Sequence, residues 1–243
     1  VSLPRLTIFV EGEGDVGAVP QLVKRLIHQR SGFDALHLEA EPFKVRSLGA
    51  LVKNDCADWK RWLGAAAKKR PFAGVLLVLD GDVDNVPPKW NAYVRRFGST
   101  FCAYRVAAVL GDEAKQAGAG KHFSVAIVFA MKEFEAWIIC GIEGIRGVDL
   151  AGGRGRVADL VQFPVGKDVE KIRGAKELLR SMIPAYQQSL DQAVLAAKLD
   201  ADLAAQRSRS FRRLTSAISQ LILAARDQKP VLSPMVNNSW PNT

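Results

Sequence analysis

Residues 74–84 read GVLLVLDGDVD. The first six are apolar without alternation, the pattern of a central strand of a parallel sheet whose two faces are both covered. The run stops at Asp80, and three carboxylates follow at alternate positions: Asp80, Asp82 and Asp84. One acidic residue at a strand end is ordinary turn chemistry. Three concentrate negative charge where an open parallel sheet gathers its ligands, outside the carboxyl ends of its strands.

Working outward, LTIFV (6–10) reads as a shorter buried strand. It runs into EGEGDVG and then into PQLVKRLIHQR, which carries helical apolar spacing at Leu22, Val23, Leu26 and Ile27. Residues 36–46 alternate enough for a second strand. Residues 55–70 read as a helix with Trp59, Trp62 and Leu63 on one face, and 87–97 as a helix with proline in its first turn. AYRVAAVL (103–110) and FSVAIVFA (123–130) are two further strand candidates, and KEFEAWIICGI (132–142) a helix. Strands alternating with helices predict an α/β, Rossmann-like, mainly parallel sheet flanked by helices. A glycine-rich loop follows near 144–155. From Asp168 the pattern is helical, over 169–183, 188–206 and 211–226. The expected organisation is an α/β core over 1–143, a helical extension packed on it over 144–229, and a loose tail over 230–243.

The chain has 243 residues, 48% of them hydrophobic, enough for a sizeable core. No apolar run approaches a membrane span. VSLPRLTIFV reads as a first strand, not a secretion signal. Cys56, Cys102 and Cys140 show neither disulfide nor zinc spacing and suit a reducing cytoplasm. The histidines His28, His37 and His122 show no ligand spacing. The net charge is +9, and from residue 144 onward basic side chains outnumber acidic ones 15 to 9. That excess points to a polyanionic partner, nucleic acid above all.

Two more acidic motifs follow strands. In VEGEGD (10–15), Glu11 comes directly after the first strand and Asp15 four positions later. In MKEFEAW (131–137), Glu133 and Glu135 follow the strand ending at Ala130. Neighbouring strands lie about 5 Å apart, so these carboxylates are expected to converge. A hard divalent cation, Mg²⁺ or Mn²⁺, takes such oxygen ligands, and two ions would serve an in-line displacement at a phosphodiester. Three other readings compete. The carboxylates could be solvated turn and helix-terminus charges. Gly12, Gly14 and Gly17 match the dinucleotide fingerprint G-x-G-x-x-G, with Glu39 near a ribose-binding position. Yet Glu11, Glu13 and Asp15 would repel a pyrophosphate. VLDGDVD also suits an aspartyl-phosphate phosphatase of the haloacid dehalogenase type, with Asp80 as nucleophile and Asp82 as acid. That superfamily places the motif on its first strand, unlike this chain.

A strand ending in Glu11, with a later strand ending in Asp80-x-Asp82, resembles the Toprim domain of topoisomerases, primases and nucleases. The Glu11-Gly12 to Asp15 spacing is closer to Toprim nucleases of the overcoming-lysogenization-defect type. Within that group the chain resembles a bacterial domain-of-unknown-function family carrying VEGxTE-like, DxDxD-like, EFEA and SxSF segments. Here these are VEGEGD (10–15), DGDVD (80–84), EFEA (133–136) and SRSF (208–211). The resemblance spans about residues 6–226. It implies metal ligands at Glu11, Asp80 and Asp82, with Asp15, Asp84 and Glu133 or Glu135 in support, and a catalytic role for Lys176. Glu11 stays open between ligand and general base.

In the SRSF segment, Ser208, Arg209 and Ser210 could contact phosphate or cap a helix. Arg212 and Arg213 could line a nucleic-acid path or solvate a helix face. The expectation is a Mg²⁺-dependent nuclease acting on DNA or RNA, against a non-catalytic module that binds nucleic acid or a partner protein. Toprim relatives often work beside an ATPase, with phage defence as one setting. This sequence has no G-x-x-x-x-G-K-[ST] loop, so that ATPase would be a separate protein.

Overall fold

A computed structural model describes residues 2–68, 71–82, 97 and 100–233. Asp84 and, but for Phe97, the helix expected over 87–97 lie outside these residues. The order is β1 (Arg5–Val10), α1 (Glu13–Gln29), β2 (His37–Leu38), β3 (Phe43–Lys44), α2 (Leu48–Val52), α3 (Ala57–Ala66) and β4 (Phe72–Asp80). Then come α4 (Ala103–Gln116), β5 (Ser124–Ala130), α5 (Phe134–Cys140), α6 (Ala175–Met182), α7 (Gln188–Ala196), α8 (Ala201–Arg207), α9 (Arg209–Arg226) and β6 (Leu232–Ser233). The fold is α/β: a parallel six-stranded sheet flanked by helices, with a helical C-terminal region. The strand order is β2-β1-β4-β5-β6, and β3 also pairs with β1.

Strand alternation divides the interior into two layers. Leu6, Ile8 and Val10 of β1, Leu76 and Val78 of β4, and Ala126, Val128 and Ala130 of β5 face α1 and the helices that follow residue 134. Phe9, Val75, Leu77, Leu79, Val125, Ile127 and Phe129 face α2, α3 and α4. Both faces of β4 are therefore covered, which is why its sequence is continuously apolar. The first layer runs without a break from β1 to Ile222, so the helices after residue 144 share one core with the sheet. Among the described residues, no helix is long and apolar enough to cross a membrane.

Several expectations need correction. Residues 103–110 are the start of helix α4, not a strand. Read only to Leu110 the segment is merely apolar. Extended to Gln116, its buried positions 106, 107, 110 and 114 repeat at helical spacing. The strand expected over 36–46 is two two-residue pieces, β2 and β3. The helix expected over 188–206 is broken into α7 and α8. The first run ends at Ala196, and Asp200 caps the second, its Oδ1 accepting from Asp202 N–H and Leu203 N–H. Leu232 and Ser233, expected in the loose tail, pair with Val125 and Ala126 as an edge strand.

Candidate functional site

Glu11 lies one residue past β1 and Asp80 ends β4, the strand next to it. The Glu11 carboxylate accepts from Leu48 N–H at 3.2 Å and from the Asp80 backbone N–H. Asp80 in turn accepts from Phe134 N–H, the first residue of α5, at 3.1 Å. Asp15 bends back over the first turn of α1 to accept from Gly12 N–H at 2.9 Å, the backward half of a helix-start box. Glu135 is only 2% exposed and accepts from the Tyr186 hydroxyl at 3.1 Å. Glu133 accepts from Lys176 N–H at 3.0 Å and so satisfies a donor of the first turn of α6.

The charges interact. Burial pushes the Asp80 carboxyl well above the usual carboxylate range, and Asp15, Glu11, Glu135 and Asp82 add their repulsion. Burial, with Asp82 and Asp15, raises Glu11 from 4.5 to about 7. Burial raises Asp15, against the opposing pull of Gly12 N–H, Gln192 and Lys176. Burial raises Glu135 too, and Lys176 and Tyr186 oppose it. Five carboxylates thus share one field, in which Lys176 is the opposing cation for Asp15 and Glu135. Glu11, Asp15, Asp82 and Glu135 all lie near enough to Asp80 for their charges to act on it. Glu133 is turned to α6.

Hard oxygen donors carrying excess negative charge are the donor chemistry of a Mg²⁺ or Mn²⁺ site. As the structure stands, no three His, Cys, Asp or Glu side chains among the described residues are placed to hold one ion. The donor set fits a divalent cation in composition and charge; sharing an ion would require the side chains to draw together.

Two participants, Tyr186 and Gln192, carry no motif by which sequence reasoning could have found them. Gln192 is fully buried on α7 and donates from Nε2 to Asp15 at 3.4 Å. It also explains the glycines. A Cβ on Gly14 would overlap Gln192 Oε1, and one on Gly17 would crowd Ala193. The spacing that imitates a dinucleotide fingerprint thus lets α7 seat against the start of α1, where a pyrophosphate would have to lie. Glu39, its proposed ribose acid, accepts from the Thr7 hydroxyl at 2.7 Å.

The SRSF segment is corrected in part. Ser208 is 0% exposed and caps α9, its Oγ accepting from Phe211 N–H and donating to Glu170. Ser210 is buried, accepting from Trp137 Nε1–H at 2.8 Å and Met131 N–H at 3.3 Å. Arg213 donates to Ser233 Oγ at 2.8 Å and ties α9 to the sheet edge. These three are held by the fold, so burial keeps the two serines from a nucleic-acid contact. Arg209 and Arg212 are exposed; Arg212 donates to the Ala205 and Gln206 carbonyls at the end of α8.

Fold and site together define a parallel-sheet α/β domain with a carboxylate cluster at its central strand ends. The chain belongs to a family described as a domain of unknown function, DUF4276, whose model matches residues 10–219. No match to a curated protein or to a solved structure was found.

Proposed function

We propose that the protein is a Mg²⁺- or Mn²⁺-dependent, Toprim-like nuclease that hydrolyses phosphodiesters of DNA or RNA. The observation carrying this reading is the mutual repulsion of Glu11 and Asp80, just at the ends of β1 and β4, with Asp15, Asp82 and Glu135 around them, in one under-neutralised field. Such a field is unfavourable without a cation. Asp80, Glu11 and Asp82 would hold one or two ions, with Asp15 and Glu135 in support. A bound divalent ion supplies Lewis-acid stabilisation of phosphodiester charge. Glu11, titrating near neutrality, is suited to take the proton of an attacking water at its carboxylate. Lys176 offsets charge on Asp15 and Glu135 and stands ready for a phosphate oxygen. The positive net charge favours nucleic acid. Action beside a separate ATPase, in bacterial phage defence, extends the same reading by family analogy.

The test is cleavage of end-labelled single- and double-stranded DNA and RNA in Mg²⁺ or Mn²⁺. Asp80→Ala and Glu11→Ala should abolish it, and undiminished cleavage in both would remove the assigned site. The lack of a ready three-ligand arrangement among the described residues favours a second reading, a non-catalytic nucleic-acid- or partner-binding module. Nucleic-acid binding without cleavage under any divalent metal would select it.

A further inference from the structure

A groove of about 810 Å³ opens beside the carboxylate cluster on the other face of the sheet end. That volume suits a small-molecule moiety. Its floor is Ile127 and Phe129 of β5 with Met131 just past the strand, and one wall is the first turns of α4, where Tyr104 is 47% exposed. Along the opposite side stand Lys132, Lys171 and Arg209, with Glu170 as the acid among them. Arg209 meets Glu170 at only 3.7 Å, and Lys171 pairs with Asp168 at the surface. Lys171–Asp168 is an exposed pair and so a weak competitor for a polyanion, and Arg209, though near the buried Glu170, keeps a side chain that is 79% exposed.

Groove and cluster share one strand end. Met131 and Lys132 line the groove, while Glu133 and Glu135, one and three residues beyond Lys132, turn toward α6 and the carboxylates. Gly81 N–H, next to Asp80, donates to both the Ala130 and Lys132 carbonyls at 2.8 and 2.7 Å. Groove and cluster thus adjoin at the turn that follows β5.

Among the described residues, β6 pairs with β5 at Val125 and Ala126, and the groove is lined further along β5 by Ile127 and Phe129. An added peptide strand would need the β5 backbone groups there. Met131 N–H is already given to Ser210 Oγ, and Arg213 donates to the Ile127 carbonyl at 3.5 Å. An apolar floor, an exposed aromatic ring and a cationic side instead match a base with its flanking phosphates.

We propose that this groove receives an unpaired nucleotide of a single-stranded nucleic acid, its base on Tyr104 and the β5 floor, its phosphates on Lys132, Lys171 and Arg209. The assignment rests on reading the neighbouring carboxylates as a phosphodiester-cleaving centre for its purpose, but binding needs no cleavage.

The experiment is fluorescence anisotropy in EDTA with a labelled fifteen-residue oligo-dT and a duplex hairpin as probes. The wild type should prefer the single strand. Tyr104→Ala should weaken it roughly tenfold, the scale of one lost base stack, while Tyr104→Phe, which keeps the ring, should bind as the wild type does. Lys171→Gln with Arg209→Gln should lower the slope of log affinity against log salt by about 1.4. Unchanged melting temperatures would tie these effects to the groove. A wild type that binds in this pattern but never cleaves would overturn the nuclease reading and leave the groove standing. Cleavage with oligo-dT binding indifferent to Tyr104→Ala would overturn the groove alone, as would equal affinity for polyglutamate.

Discussion

The Tyr186 hydroxyl donates to the Glu135 carboxylate at 3.1 Å, so the helical region reaches into the acidic cluster from 51 residues away. The bond favours the charged form of Glu135, against the burial that raises its pKa. Tyr186→Phe removes only the oxygen. Glu135 should then titrate higher and hold cations less well. We expect stability to fall by about 1 kcal/mol and Mn²⁺ affinity to fall several-fold. Calorimetric titration of Mn²⁺ into both proteins at pH 7.5 checks this, and equal affinities would show that Tyr186 serves packing alone.

The cluster should make the metal-free protein less stable as pH rises. Glu11 titrates at about 7 in the fold against 4.5 ordinarily. Between those values the folded chain holds a proton that the unfolded chain has released. The Glu11 contribution is therefore fully present below 4.5 and is lost as pH rises through about 7. Asp80, Asp15 and Glu135 are shifted in the same direction. In EDTA, the melting temperature at pH 7.5 should lie several degrees below that at pH 5.5. Mg²⁺ should recover more at pH 7.5, because cations and protons compete for the same oxygens. Asp80→Asn, which removes the most repelled charge, should flatten the decline and stabilise the metal-free protein at pH 7.5. A melting temperature that climbs from pH 5.5 to 7.5 in EDTA would contradict this electrostatic picture.

The central strands were legible because burial on both faces leaves a mark in local sequence: β1, β4 and β5 are apolar runs cut off by acids. The acids were legible as well, since parallel topology alone carries Glu11, Asp80 and Glu135 to the same end of the sheet. Helix α4 was not, because an apolar eight-residue window suits either period and its polar continuation lies beyond Leu110. Nor were Tyr186 and Gln192. A single long-range hydrogen bond leaves no periodicity, and Gln192 is 177 residues from Asp15. The glycines of EGEGDVG were misleading in a similar way. The requirement at Gly14 and Gly17 comes from α7, which the sequence places far away.

Gly14→Ala tests that packing. Alanine favours a helix interior over glycine by about 1 kcal/mol, so at an open site the change would stabilise. Here the new methyl overlaps Gln192 Oε1 and presses on Gln188. Overpacking of this kind costs about 1–3 kcal/mol. Gly14→Ala should therefore melt several degrees lower, and adding Gln192→Ala should restore part of the loss. Independent, additive losses in the double-mutant cycle would mean that Gln192 is not what excludes a side chain at Gly14.

Ser208 and Ser210 give the last prediction, because they tie the start of α9 to Glu170, Trp137 and the turn after β5. Ser208 caps α9, and Ser210 holds Trp137, which is fully buried between Phe134 and Phe211. Ser208→Ala removes the cap and leaves Glu170 without the hydroxyl it accepts from. The expected cost is about 1–2 kcal/mol of stability. The salt dependence of nucleic-acid binding should stay as it is, since a buried hydroxyl neutralises no phosphate. Denaturant unfolding and anisotropy titrations from 50 to 200 mM salt separate the two effects. An unchanged unfolding midpoint with a weaker, flatter salt response would return Ser208 to the nucleic-acid surface.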